Sequence, residues 1–187
     1  PDTVHLVSLS IFIGSMILLY GASTIYHTFN FSEKTNQILK KLDHCMIFIM
    51  IAGSYTPVCL IVLGGKTGLM LLSLVWGVAI MGIIFKLFWV NCPKWVSSVL
   101  YIAMGWICVL AFSQIIEALR GPAFLWLLTG GIIYTLGGII YALKLPVFDA
   151  LHKNFGTHEI FHLFVMAGSV CHFVFMFKYV ALMPLVH

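Results

Sequence analysis

The chain has 187 residues, of which 61% are hydrophobic and 9% are charged. A soluble domain carries roughly 25% charged residues, because a water-facing surface is built from them. Ten basic and six acidic side chains fall far short of that. The composition excludes a soluble globular enzyme, a disordered chain and a nucleic-acid binder built on a basic patch. What remains is a polytopic membrane protein.

A membrane-spanning helix needs ~20 mostly apolar residues. Six stretches qualify, at 4–27, 43–63, 67–88, 96–117, 122–143 and 157–178. The expected fold is therefore all-α, a transmembrane helix bundle forming a single domain over 1–187. The chain opens on Pro1 with no charged stretch and no cleavage site, so no signal peptide is expected, and some upstream segment is.

In chain order, the first span ends at its polar tip on His27, with Ser23 one turn deeper on the same face. The connection 28–42 follows. Asp43 and His44 open the second span, and Pro57 in Ser54-Tyr55-Thr56-Pro57 is expected to kink it. The fifth span carries Gly-Gly-Ile-Ile-Tyr twice, at Gly130–Tyr134 and Gly137–Tyr141. That repeat puts two glycine pairs on nearly one helix face, where another helix can approach closely; its reading is packing. After the connection 144–156, His158, Glu159 and His162 open the sixth span. The five cysteines (Cys45, Cys59, Cys92, Cys108 and Cys171) form no C-x-x-C and are odd in number, so they read as small packing residues.

Orientation follows from where the basic residues fall at alternate ends of the spans. One side holds Lys34, Lys40, Lys41, Lys86, Lys94, Lys144 and Lys153; the other holds Lys66, Arg120 and Lys178. Connections 28–42, 89–95 and 144–156 are thus expected in the cytoplasm, with both chain ends outside.

Ionisable groups within a span are costly and are functional candidates by default. Here His27, Asp43, His44, His158, Glu159 and His162 come from three distant segments to one leaflet. His158 and His162 stand at i and i+4, which stacks two imidazoles on one helix face, about 6 Å apart in depth. Neutral imidazoles so spaced can fill two positions of a tetrahedral Zn²⁺. A lone histidine at this level would read as a polar group at the headgroups. A third at the same depth, with an acid nearby, favours a metal. His172 lies about 15 Å beyond His162 along the helix, which suits packing or a polar relay better than ligation. His44 sits beside Asp43 but points ~100° away on a helix, which makes it a weaker candidate. His5, His152 and His187 read as terminal or loop residues in water.

The chain resembles a known family at this point. Ser23-Thr24-Ile25-Tyr26-His27 is similar to the S-x-x-x-H motif of haemolysin III-type membrane proteins, which belong with the progestin and adipoQ receptors. Leu42-Asp43-His44 with Ile51–Pro57 resembles that family's third helix. Gly156–His162, with Ala167-Gly168-Ser169 and Cys171-His172-Phe173, resembles its seventh. The resemblance implies a seven-helix bundle whose amino end is cytoplasmic, and a zinc site near the cytoplasmic face of the plasma membrane. It implies His27, His158 and His162 as zinc ligands, Asp43 as the group holding the water at the metal, and Ser23 as a polar neighbour. Since six spans are found, the family's first helix is expected ahead of Pro1.

Three protein ligands with one open position are the pattern of catalytic zinc. The first reading is a zinc-dependent hydrolase acting on the amide or ester bond of a membrane lipid, ceramidase-like in chemistry. A receptor-like signalling protein without turnover is an alternative from the same resemblance. His158-Glu159-Ile160-Phe161-His162 is also the zincin pattern, with Glu159 as general base; no acid follows Glu159 to complete a protease site. A pore-forming haemolysin is the reading from another class, and it calls for polar residues through the full membrane depth.

The charge asymmetry yields a direct test. In a variant without native cysteines, a cysteine placed in 28–42 is expected to be shielded from an impermeant thiol reagent added to intact cells. One placed beside Arg120 is expected to react. Labelling in the opposite pattern would reverse the orientation.

Overall fold

A computed structural model describes residues 2–119, 121–143 and 156–185. Among these residues the chain is all-α, and six helical stretches are long and apolar enough to cross a membrane. In a bilayer core no water satisfies a free backbone N–H or C=O, and a helix closes these groups on itself. Arg120, Lys144, Lys153, His152 and His187 lie outside the described residues, as does nearly all of the connection 144–156.

Two compact units make up the chain, divided at Asn91 and Cys92, with the residues from Met183 onward joining the first. In the first unit, α1 (Thr3–Thr28) packs on α2 (Glu33–Pro57), and α2 packs on α3 (Gly65–Phe88). Phe12, Leu19 and Ala22 of α1 are buried. A Cβ at Gly53 of α2 would strike the Ser15 side chain, and one at Gly82 of α3 would strike the Phe48 ring, so glycine is what lets these helices approach. The Trp76 indole donates to the Thr56 hydroxyl at 3.2 Å, and that hydroxyl donates to the Ala52 carbonyl at 2.9 Å.

Helix α2 starts ten residues before the expected span. Ser32 caps it, accepting from the Thr35 amide at 3.3 Å, and Glu33 stands in the first turn, where a carboxylate complements the helix dipole. Residues 33–42 are polar and propagate the helix without needing lipid contact. At Pro57 the missing N–H interrupts the α-helical ladder, and Val58–Leu63 continues as a π-helical turn. Gly64 and Gly65, with φ of 60° and 51°, take the left-handed conformation that turns the chain into α3.

His5 is a correction. The sequence suggested a solvated terminal residue; instead it is buried and its Nε2 lies 2.9 Å from the Met183 carbonyl oxygen, which ties the start of α1 to the end of the chain.

In the second unit, the span expected at 96–117 is divided. It runs as α4 (Lys94–Gly105), a 3₁₀ segment (Trp106–Ala111) and α5 (Phe112–Ala118). The break follows Gly105, a poor helix former, and the Trp106 indole donates to the Thr135 hydroxyl at 2.9 Å. α6 (Pro122–Leu143) packs on both α4 and α7 (Thr157–Lys178). Three of the four repeated glycines meet a neighbouring helix. A Cβ at Gly130 would meet the His172 ring, one at Gly137 the Phe164 side chain, and one at Gly138 that of Ile102. From α7, Gly168 meets the Tyr134 ring in the same way, and the Tyr134 hydroxyl pairs with that of Ser169 at 2.8 Å.

Gly131 faces open space. Gly137→Leu is therefore expected to lower stability by about 1–3 kcal/mol through overpacking, while Gly131→Leu leaves it nearly unchanged. Thermal unfolding in detergent micelles compares the two, and equal midpoints would contradict the close α6–α7 approach.

Candidate functional site

The first unit brings together three of the residues singled out from the sequence. Ser23 and His27 are one turn apart near the end of α1, and Asp43 lies ten residues into α2. The Ser23 hydroxyl donates a hydrogen bond to the Asp43 carboxylate, and His27 is within electrostatic range of the same carboxylate. Tyr26 also feels the Asp43 charge, and its ring stands 4.6 Å from that of His27. Asp43 is buried, at 8% exposure, whereas His27 is exposed. A carboxylate that far from water is tolerable only with polar partners, and α1 supplies them.

His44 turns elsewhere. Its Nδ1 lies 2.8 Å from the Lys40 carbonyl oxygen and 3.6 Å from Asp43 Oδ2. A backbone carbonyl can accept only from a protonated Nδ1, so this contact fixes the tautomer and commits that nitrogen. Sequence reasoning missed a further ionic group here. Lys86, at the end of α3, is fully buried and acts electrostatically on His44 and Cys45. By sequence it counts only among the basic residues expected on the cytoplasmic side. Its position within Ile83-Ile84-Phe85-Lys86-Leu87-Phe88 was the available signal.

In the second unit, the first turns of α7 hold His158, Glu159 and His162. The two imidazole rings lie 4.5 Å apart by centroid and are tilted by 63°. Each is half-buried. Phe161 packs 5.9 Å from His162, Tyr141 of α6 packs 4.6 Å from Phe161, and Tyr141 also lies 5.9 Å from His158. Glu159 takes a different position. Its side chain is exposed, and Oε2 accepts from the Gly156 amide at 2.8 Å, closing the start of α7.

His172 is not part of this pair. It is buried between α6 and α7, with its ring edge-on to Tyr134 at 5.3 Å and against Gly130. Among the described residues no cysteine forms a disulfide, and four of the five are buried.

Chemically, the second unit offers two imidazoles at a separation that suits one metal ion. The first offers a third imidazole beside a buried carboxylate, an oxygen able to accept a proton.

Comparison with known proteins gives the family. The family described as haemolysin-III related matches residues 2–173. The chain is similar to the hemolysin-3 homolog of Bacillus subtilis (strain 168), 38% identical over 96% of this chain and 80% of that protein. It is similar to hemolysin-3 of Bacillus cereus, 40% identical over 93% of this chain and 75% of that one. A more distant likeness is to the adiponectin receptor protein of Drosophila melanogaster, 28% identical over 87% of this chain and 40% of that protein.

Proposed function

The chain belongs to the haemolysin-III-related family, and from that membership we propose a zinc-dependent hydrolase of the plasma membrane that acts on an amide or ester bond of a lipid at the cytoplasmic interface. The observation that carries the reading is the His158–His162 pair, with its rings 4.5 Å apart on one face of α7. His27, at the end of α1, is the third ligand on the likeness of Ser23-Thr24-Ile25-Tyr26-His27 to the family's S-x-x-x-H motif. Alternation of six spans gives the end of α1, the start of α2 and the start of α7 one side of the membrane, which the basic residues make cytoplasmic.

A zinc ion bound there would polarise the acyl carbonyl and make a water nucleophilic near neutral pH. The remaining chemistry belongs to the chain. His27, His158 and His162 would hold the ion as neutral ligands through one ring nitrogen each. Asp43 accepts the proton of the attacking water and delivers it to the leaving amine or alkoxide. Ser23 donates to the Asp43 carboxylate and so fixes which way its oxygens face. Residues at the headgroup level let a lipid present its acyl bond without leaving the bilayer. Glu159 serves as a helix cap, since its carboxylate is engaged by the Gly156 amide.

Two alternatives draw on the relatives' names. The Bacillus proteins are hemolysins by name, which favours a pore; the Drosophila protein is an adiponectin receptor by name, which favours signalling without turnover. Metal analysis of the purified protein with a lipid-hydrolysis panel tests the main reading. Ion flux in liposomes with no hydrolysis would support the pore instead.

His27→Ala, His158→Ala and His162→Ala are each expected to lower zinc content severely, and His44→Ala and His172→Ala to lower it little. Near-stoichiometric zinc in the purified His162→Ala protein would sink the ligand assignment.

The two acids separate by a second pair of variants. Asp43→Asn is expected to keep most of the metal and lose activity, because an amide can hydrogen-bond to Ser23 but cannot take the water's proton. Glu159→Gln is expected to keep the metal and most activity, because an amide oxygen still accepts from Gly156. An active Asp43→Asn beside an inactive, zinc-loaded Glu159→Gln would exchange the two roles.

A further inference from the structure

Four rings in the second unit form a closed circuit: Tyr141 to His158, His158 to His162, His162 to Phe161, and Phe161 back to Tyr141, at 5.9, 4.5, 5.9 and 4.6 Å. Three belong to the first turns of α7. Tyr141 alone comes from another helix, the last turn of α6. Lys94, the first residue of α4, places its Nζ 4.5 Å from the centre of the Tyr141 ring. Three helices of the unit thus meet at one tyrosine.

We infer that Tyr141 is a positioning residue for the His158–His162 pair, and that Lys94 holds Tyr141 in place by a cation–π contact. The inference rests on the metal-binding reading above and adds to it a residue that contacts no metal. The physical need is specific to His158. It is the second residue of α7, in a first turn that Glu159 holds at the backbone but that has no preceding turn of helix for a side chain to lie on. Its side chain therefore gains little rigidity from its own helix. His162, one turn further in, is flanked by formed helix on both sides. An imidazole free to change rotamer would lose alignment with its partner, since ligation needs both lone pairs aimed at one point. The Tyr141 ring lies against His158 from outside the helix and so narrows its rotamers.

The backbone carries Tyr141 to this place. Gly137, one turn earlier on α6, lets α7 approach so closely that a Cβ there would strike Phe164, and Gly138 does the same for Ile102 of α4. The second Gly-Gly-Ile-Ile-Tyr copy is thus a device in which two glycines set the approach of two helices and the tyrosine uses it. Cation–π attraction is stronger where the cation is partly desolvated, and Lys94 is half-buried.

The test uses zinc affinity by chelator competition and the visible spectrum of the Co²⁺-substituted full chain, which reports ligand geometry independently of turnover. Tyr141→Leu removes the ring and is expected to weaken zinc binding about 10–100-fold, the usual range when a group supporting a ligating histidine is lost, and to shift the Co²⁺ bands. Tyr141→Phe keeps the ring and is expected to stay within about threefold of the parent. Lys94→Met, which leaves every ring in place and guards against a misfolded Tyr141→Leu, is expected to weaken binding by several-fold, and Lys94→Arg to restore it. Parental affinity and spectra in both Tyr141→Leu and Lys94→Met would overturn the positioning role. His158→Ala separates the two levels: if it retains zinc, the metal reading itself fails, whatever Tyr141 does.

Discussion

A polar side chain in a hydrocarbon layer must find its partner within the protein, and that requirement organises both units. Backbone groups are closed by helix formation; several polar side chains are closed in pairs across helix contacts. The Trp76 indole meets Thr56, the Trp106 indole meets Thr135, and the Tyr134 hydroxyl meets Ser169. Asp43 meets Ser23 by the same rule. The last pair differs in that a carboxylate costs far more to bury than an indole or hydroxyl. A fold can meet its packing needs without such a group, so the presence of Asp43 next to His27 argues for chemistry where the other pairs argue for packing.

Glycine supplies the second half of the logic. With little net hydrophobic drive between helices in lipid, association depends on close contact, and close contact depends on missing side chains. Gly53, Gly82, Gly130, Gly137 and Gly168 each face a neighbour that a Cβ would displace. In the second unit this proximity has a consequence for the site. The same approach that packs α6 on α7 lays the Tyr141 ring beside the histidine pair. Stability and the geometry of the histidine pair therefore share one cause there, and a change in helix spacing acts on both.

Helix existence was legible in the sequence because a lipid-facing helix needs an unbroken apolar run, and all six runs are helical. The i, i+4 histidines and the Ser23–His27 turn were legible for the same reason: spacing along a helix determines the face. Helix ends were less so. Residues 33–42 look like a connection under any criterion that counts apolar residues, yet the Ser32 cap and a polar helix-forming sequence extend α2 through them. The 3₁₀ segment after Gly105 and the π-helical turn after Pro57 depend on local hydrogen bonding that hydropathy does not register. Lys86, His5 and Tyr141 were missed because their importance lies in what another element brings to them. A buried lysine reads as a boundary charge, a tethered terminal histidine as a solvated one, and a packing tyrosine as part of a glycine repeat.

Glu159 shows how a motif can be right in pattern and different in use. In His158-Glu159-Ile160-Phe161-His162, the zincin pattern would make the glutamate a proton acceptor beside the metal. Here it stands third in α7, where its carboxylate reaches back to the Gly156 amide at 2.8 Å and complements the dipole of the helix start. Both interactions hold the turn that carries His158. The glutamate thus supports a candidate ligand through the backbone, while Tyr141 supports it through the side chain. Among the described residues Asp43 has no comparable backbone duty; its carboxylate accepts from Ser23, a hydroxyl that orients an oxygen without consuming its capacity to accept a proton. The two acids are therefore separated by their partners, one committed to holding a helix end and the other left able to accept a proton.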